Sequence, residues 1–498
     1  MSGKWTAIGA IVAGSVIIGV IFLAGYGTRA HALVGMATQP VDIQIAETYE
    51  SVYINADGSI DPPTAPIVHI GNTYTLNSSI YYSGEYSAII IKRENIEVNG
   101  AGHTVQGTGA VTSKGISLSE VNNVTVKNLA IQAFGFGIWL NASLHNNISG
   151  VYIAGSARGM IIDGSSNCNS ISENRITGNS LSGIEIYESS NNSISGNNIT
   201  RNAYGIACYS TSNQNHILGN YIGNNTFGIY LYSSNNSIIG NSISSNDRGL
   251  KLLDFSADTN ISGNQIARNN YGIELERSSN SRIHYNNFVK NTQQVYISAP
   301  SYDNSWYAPF PSGGNYWDNH VSVDFHGGPL QDELGSDGMA DTDYVIDSFN
   351  RDNYPLMGPF NTFDSGTWNG TAYNVDVVSN STVSDYQVDT FQKAISFGVT
   401  GVEETAGFCR VTIPNIIVQD LWQGNFTVLL NNEPWSFTNW TDPTYTYIYI
   451  NYAHSEHQVT IVPEFPSLLI LPLFMMAALL AVIAHRKKRI STRAIARA

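Results

Sequence analysis

Apolar residues recur through the middle of this chain in a fixed order, with a period near 22 residues. The register mark is a glycine, or its equivalent, just before an apolar residue: Gly115, Gly137, Gly159, Gly183, Gly205, Gly228, Gly249, Gly272 and Gln294. The steps are 22, 22, 24, 22, 23, 21, 23 and 22 residues. Four apolar columns keep this register. One residue after the mark stand Ile116, Ile138, Met160, Ile184, Ile206, Ile229, Leu250, Ile273 and Val295. Three after stand Leu118, Leu140, Ile162, Ile186, Cys208, Leu231, Leu252, Leu275 and Ile297. Six before stand Ile131, Ile153, Ile199, Ile222, Ile243, Ile266 and Phe288. Eleven before stand Val126, Ile148, Ile194, Ile217, Ile238, Ile261 and Ile283. The 24-residue repeat moves its members of the last two columns by one, to Ile176 and Ile171.

Two apolar positions two apart, flanked by polar ones, make a short strand with one buried face. Such strands, separated by Asn, Gly and Ser, cannot bury a core alone. Stacked coil on coil at about 4.8 Å per step, they bury continuous Ile ladders. Asn197, Asn220, Asn241, Asn264 and Asn286 share one turn column; Asn202, Asn225, Asn246, Asn269 and Asn291 share another. Asn tolerates left-handed backbone, and its amide can pair with its copies above and below. A leucine-rich horseshoe needs L-x-x-L-x-L spacing, which is absent, and a propeller needs about 40 residues per blade. The expected fold is all-β: a parallel β-helix of about ten 22-residue coils, the first ones irregular over residues 89–109.

The repeat S-x-N-x-I-x-x-N-x-I-x-x-N-x-x-G-I-x-L resembles the NosD / carbohydrate-binding-and-sugar-hydrolase β-helix family. The opening Tyr53-Ile54-Asn55-Ala56-Asp57-Gly58-Ser59-Ile60 resembles that of archaeal surface members, as does Asn99-Gly100-Ala101-Gly102-His103-Thr104-Val105-Gln106-Gly107. The resemblance covers residues 52–359. It implies a right-handed helix and says little about activity.

Gly314-Asn315-Tyr316-Trp317 ends the repeat. The Asp-rich segment that follows, residues 332–357, is similar to the family's terminal D-G-x-G-D-x-P-Y segment, with Ala340 and Asp343 in place of a usual Gly and Pro. Asp332, Asp337, Asp341 and Asp343 on a Gly-rich loop are hard oxygen ligands that suit Ca²⁺, although the EF-hand pattern is not met. The competing reading is a solvated cap over the open end of the helix. Residues 363–462 lose the period. Runs at 373–378, 410–413, 426–430 and 445–452 read as strands of a small β-sandwich.

Both chain ends are apolar. Residues 7–24 suit an anchor or a signal peptide, with Ala30-His31-Ala32 as a cleavage site. Residues 465–484 are followed by His485-Arg486-Lys487-Lys488-Arg489, a stop-transfer pattern that keeps the tail cytoplasmic. Val462-Pro463-Glu464-Phe465-Pro466 resembles the P-E-F-type C-termini of archaeal surface proteins. The expected organisation is 1–32 signal or anchor, 33–360 capped β-helix, 361–462 sandwich, and 463–498 transmembrane anchor with basic tail. The body then lies outside the cytoplasm, at the cell membrane. The N-x-S/T sequons beginning at Asn77, Asn123, Asn141, Asn147, Asn191, Asn198, Asn224, Asn235, Asn260, Asn369, Asn380, Asn425 and Asn439 are compatible with a glycoprotein.

The chain has 498 residues, which suggests about three domains by length alone. Its formal charge is −15. Eight of the 24 basic residues and one of the 39 acidic ones lie in the tails, so the body carries about −22. Such a body does not hold a phosphate backbone, which argues against nucleic-acid partners. The three Cys exclude a disulfide scaffold: Cys208 falls in a core column, Cys168 in a turn and Cys409 in the C-terminal region.

Residues between the inward positions must face out. Two after the mark, the outward column reads Ser117, Trp139, Ile161, Glu185, Ala207, Tyr230, Lys251, Glu274, Tyr296. Four after, it reads Ser119, Asn141, Asp163, Tyr187, Tyr209, Tyr232, Leu253, Glu276, Ser298. Aromatic rings stack on sugar faces and carboxylates accept sugar hydroxyls, so Trp139, Tyr187, Tyr209, Tyr230, Tyr232 and Tyr296 are candidate glycan contacts. Strand chemistry alone also favours Tyr on an exposed sheet face. Glu185, Glu274 and Glu276 are weak catalytic candidates, because glycoside hydrolysis needs two carboxylates at short range. Arg158, Arg248 and Lys251, the cations a lyase would need, stand scattered without an evident partner. The family name implies copper, but the chain has no Met-rich run, no His-x-His and only the isolated pair His454 and His457, expected to be solvated. The leading expectation is an anchored surface protein that binds extracellular polysaccharide or envelope components without turnover. A lyase or hydrolase acting on an extended, acidic polysaccharide is the alternative, and a metalloenzyme accessory protein the third.

Overall fold

A computed structural model describes residues 48–464 apart from Phe255. The repeat winds into three sheets of twelve, eleven and twelve strands, parallel from coil to coil, with one antiparallel pair at the first edge of two of them. One coil runs through Tyr204–Tyr209 on a front sheet, His216–Leu218 on a second and Tyr221–Gly223 on a third, then rises to Phe227–Tyr232. Like residues pair with like: Ile206 with Ile229, Ile217 with Ile238, Ile222 with Ile243. All four apolar columns line the interior, and their members from Ile116 to Leu275 are fully shielded from solvent. This is the predicted β-helix. The longer repeat stays in register, with Ile171 paired to Ile194 and Ile176 to Ile199. Its surplus residues are absorbed in the turns.

Three asparagine ladders hold the turns, one more than the two columns read from sequence. The third is Asn146–Asn169–Asn192–Asn215–Asn236. The ladder residues do not occupy the left-handed region foreseen for them. That conformation falls on neighbouring columns, such as Asn123, Asn191, Asn235 and Arg201, Asn224, Ser245. The expected pairing of side-chain amides with their copies is present, and it also closes buried backbone groups that the turns leave unpaired.

The glycine column is required by close approach. A Cβ on Gly205 would lie 2.4 Å from the Gly228 carbonyl and 2.9 Å from Ile222 Cγ2. Each glycine therefore faces inward together with the apolar residue after it. The alternation breaks at that point, which turns the residue before each glycine outward.

The last coil is sealed by aromatic rings. Phe288 stacks on Trp317 at 4.2 Å, and Trp317 stacks on Tyr344 at 4.1 Å. Buried Asp352 accepts from the Trp317 indole at 2.9 Å and from the Asn315 amide at 2.7 Å. Beyond the cap, two antiparallel five-stranded sheets enclose a separate core of Val375, Val411, Ile395, Phe397, Ile448 and Ile461. A short helix, Asn415–Trp422, packs Ile417 and Leu421 into that core. It interrupts what the sequence reads as strand and turn. Arg410, on Ala406–Pro414, is buried where this module meets the cap. It donates to the carbonyls of Asp337 at 2.9 Å, Ser312 at 3.4 Å and Pro311. Among the described residues no helix is long and apolar enough to cross a membrane. Both predicted terminal apolar helices lie outside the described residues.

Candidate functional site: the outer face of the front sheet

The front sheet carries the longest strands of the helix, six residues in most coils. Its outer face therefore presents three columns per coil, where the sequence reading had two. The added column is the residue before each glycine: Lys114, Phe136, Arg158, Ser182, Tyr204, Phe227, Arg248, Tyr271 and Gln293. Simple alternation would have pointed it inward. The regular spacing from the glycine mark was the signal that could have found it.

The columns merge into one aromatic platform. Tyr187 and Tyr209 stack at 4.7 Å and 10°. Tyr204 and Phe227 stack at 5.0 Å and 8°, and Tyr230 meets both edge-on at 5.2 and 5.6 Å. Tyr230 also lies 5.6 Å from Tyr209, which joins the two stacks. Buried Ala207 leaves room for the rings around it. Tyr232 pairs in register with Tyr209 on the platform's edge. Two other candidates stand apart. Tyr296 stacks on Tyr271 at 4.8 Å further up. Trp139 lies lower, with the Lys114 ammonium 3.8 Å from its ring centre.

The cations that looked scattered are paired. Arg158 Nε donates to Glu185 Oε2 at 2.9 Å, from one coil to the next. Arg248 Nε makes the same contact with Glu274. Lys251 bridges Glu274 and Glu276 at 2.9 and 3.0 Å. Each arginine also lies over rings, Arg158 over Phe136 and Arg248 over Phe227 and Tyr271. Burial would lower the Lys251 ammonium, but its hydrogen bonds to the two glutamates outweigh this and hold it above the ordinary lysine value. An open hollow beside the first pair is lined by Phe136, Arg158, Ile161, Asp163, Glu185, Tyr187 and Glu188.

This arrangement bears on the chemistry. Glu185 and Glu274 are almost fully buried and committed to cations. Glu276 is shared between Lys251 and Arg277. Such carboxylates are engaged as acceptors by neighbouring cations. The tyrosines are no readier as bases. Burial, then the nearby Glu185 charge, pushes the Tyr187 phenol up to about 12, and burial likewise raises Tyr209 and Tyr230. At neutral pH these hydroxyls are hydrogen-bond donors on a stacking surface.

The Asp-rich loop does not assemble a shared cation site. Asp332 is exposed. Asp337 is buried and accepts from the Met339 amide and Gln331. Asp341 accepts from His326 at 2.9 Å, and Asp343 pairs with Arg351 at 3.2 Å. Asp324, not singled out from sequence, accepts from the Asp337 and Gly338 amides at 3.0 and 2.8 Å.

Its coiled ladders and sealed end define the molecule as a parallel β-helix with a broad, aromatic outer face. A family model described as periplasmic copper-binding protein (NosD) matches residues 51–227 and 222–322, more than half of the sequence. The chain belongs to the NosD family, a right-handed β-helix family. No curated protein matches it. Among solved structures it is similar to the A-module of the Azotobacter vinelandii mannuronan C-5 epimerase AlgE6, at 16% identity and a TM-score of 0.34, covering 47% of this chain and 87% of that one. It is also similar to the periplasmic alginate epimerase AlgG, at 16% and 0.37, covering 51% and 83%. DFA-IIIase from Arthrobacter chlorophenolicus A6 follows at 11% and 0.37, covering 45% and 69%. Likeness at these levels carries nothing about this chain's chemistry.

Among the described residues the family's copper finds no matching donor cluster. No group of three or more His, Cys, Asp or Glu side chains among the described residues is placed to hold a metal ion. Cys208 and Cys409 are buried in separate cores, and Cys168 is exposed on a turn. His454 is buried in the sandwich rather than solvated, with Ser381 Oγ at 2.8 Å and Thr405 Oγ1 at 2.5 Å on its two ring nitrogens. Soft and imidazole ligands converge where copper is carried. Here they are dispersed.

Proposed function

We propose that this protein is a surface-anchored β-helix whose front face binds an extracytoplasmic glycan without turning it over. The aromatic platform supports this reading: stacked, half-buried rings with protonated phenols, flanked by fixed acceptors and arginine donors. Rings supply apolar area to the C–H faces of sugars, and the polar groups fix hydroxyls around them. A helix of stacked coils also offers a straight track to an extended chain. The C-terminal apolar run and its basic flank argue for the anchor.

The test uses Tyr209→Ala and Tyr230→Ala in the full-length protein, against a panel of oligosaccharides. Each loss of stacking should cost about 1 kcal/mol, and both together roughly a tenfold to hundredfold loss of affinity. Unchanged binding would remove the platform from the account. Mass spectrometry of the same mixtures tests turnover. New oligosaccharides with an unsaturated end would make the protein a lyase, and plain reducing ends a hydrolase.

A further inference from the structure

The two arginine–glutamate pairs occupy the same register. Each arginine stands just before a column glycine, and each glutamate two after the glycine of the next coil. From Arg158–Asp163 to Arg248–Leu252 the front sheet climbs four strands, about 19 Å at the ordinary strand spacing. The tyrosine platform fills that interval. The face is thus a ring-lined segment framed by two copies of one polar device.

Its charge is as informative as its shape. The outer columns carry Lys114, Arg158, Arg248 and Lys251 against Asp163, Glu185, Glu274 and Glu276, which cancel. Around this neutral strip the body carries a large negative excess. The cations are also largely spent. Lys251 is held by two carboxylates, and Arg248 by Asp247 and Glu274. Arg158 spends Nε on Glu185, while among the described residues no hydrogen bond reaches its Nη groups. Nearby, the Ser182 hydroxyl is fully buried with no partner, between Arg158 and Tyr204 in the same column.

We infer that the ligand of this face is an uncharged glycan lying along the helix axis between the two pairs, and that polyanionic glycans are excluded. The inference rests on the glycan-binding reading above. A neutral sugar presents hydroxyls that accept from Arg158 Nη and donate to fixed carboxylates, with C–H faces for the rings. A chain with one carboxylate per sugar would approach an acidic body and find no net positive charge to receive it.

Calorimetry on the full-length chain, with neutral oligosaccharides and polyuronates of matched length, decides the matter. The expected result is binding of a neutral chain, weakened at least tenfold by Tyr209→Ala with Tyr230→Ala and nearly independent of salt. Polyuronates should bind at least tenfold more weakly at low ionic strength. The double variant Asp163→Asn with Glu276→Gln, which makes the face positive, should narrow that gap. Tighter, salt-sensitive binding of polyuronates that still needs the tyrosines would overturn the neutral class and keep the binding face. Neutral binding indifferent to the tyrosines would overturn the placement. No binding by either class would overturn both readings.

Discussion

Asn220 Oδ1 accepts two hydrogen bonds from Asn197 one coil below, from its backbone amide and from its side-chain nitrogen, both at 2.9 Å. In turn Asn220 Nδ2 donates to the Ile194 carbonyl at 2.8 Å and to Asn241 Oδ1 at 3.0 Å. One side chain thus ties its own coil to the coils below and above, closing polar groups inside the protein. Asn220→Ala would strand a buried N–H and a buried carbonyl. With about 1–3 kcal/mol for each orphaned group, the expected loss is on the order of 3 kcal/mol. Urea unfolding followed by circular dichroism checks this. The exposed neighbour Asn198→Ala should fall within about 0.5 kcal/mol of the parent. Equal effects at both positions would show that the ladder carries no special weight.

Gly205→Ala tests the packing of coil on coil. Its new Cβ would meet the Gly228 carbonyl at 2.4 Å, a contact that backbone cannot yield cheaply. Overpacking of this kind costs about 1–3 kcal/mol. A lowered thermal midpoint is expected, although Ala is the better residue elsewhere.

The Arg410 guanidinium sits over Tyr447 at 5.0 Å while donating to cap carbonyls. Arg410→Ala would leave those carbonyls and the Asp337 charge without their counterpart. Loss of one partner from a buried charged contact costs about 3–5 kcal/mol. Limited proteolysis should then cut between cap and sandwich, and calorimetric scans should split in two. A single unshifted transition would show that other contacts hold the junction.

The cap is expected to weaken as pH rises. Burial, with the nearby Asp337 and Asp341 charges, pushes the Asp324 carboxyl up to about 7 despite hydrogen bonds from the Asp337 and Gly338 amides. Arg410 and Tyr449 are the other titratable groups close by. A carboxyl raised in the folded state binds its proton more tightly there than in the unfolded chain. Its contribution is therefore complete below the unfolded value of 3.8 and is lost as pH climbs through about 7. Thermal midpoints should fall between about pH 4 and pH 7, and Asp324→Asn should flatten that slope. An unchanged slope in the variant would place the titration elsewhere.

Much of the architecture was legible because a solenoid repeats its physics. Each coil buries the same columns, so Ile206, Ile217 and Ile222 announce the interior by period alone. The Asn columns were legible too, and so was the pairing of their amides with copies above and below; only the left-handed backbone foreseen for them falls elsewhere. Left-handed backbone belongs to Asn224 and its column, while Asn220 and Asn202 work through amides that need a copy at the next level. The helix Asn415–Trp422 lay outside any period, in a module where each strand is set by different neighbours.

For the site, the sequence determined which residues share a column, and so placed Tyr187, Tyr209, Tyr230 and Tyr232 on one face. Only the tertiary structure decided what surrounds them. It turned Tyr204 and Phe227 outward at an inward-facing glycine, and it paired Arg158 with Glu185 and Arg248 with Glu274. The reason is distance along the chain. Alternation and period act between near neighbours, whereas those ion pairs join residues a full coil apart, brought together only when strands stack.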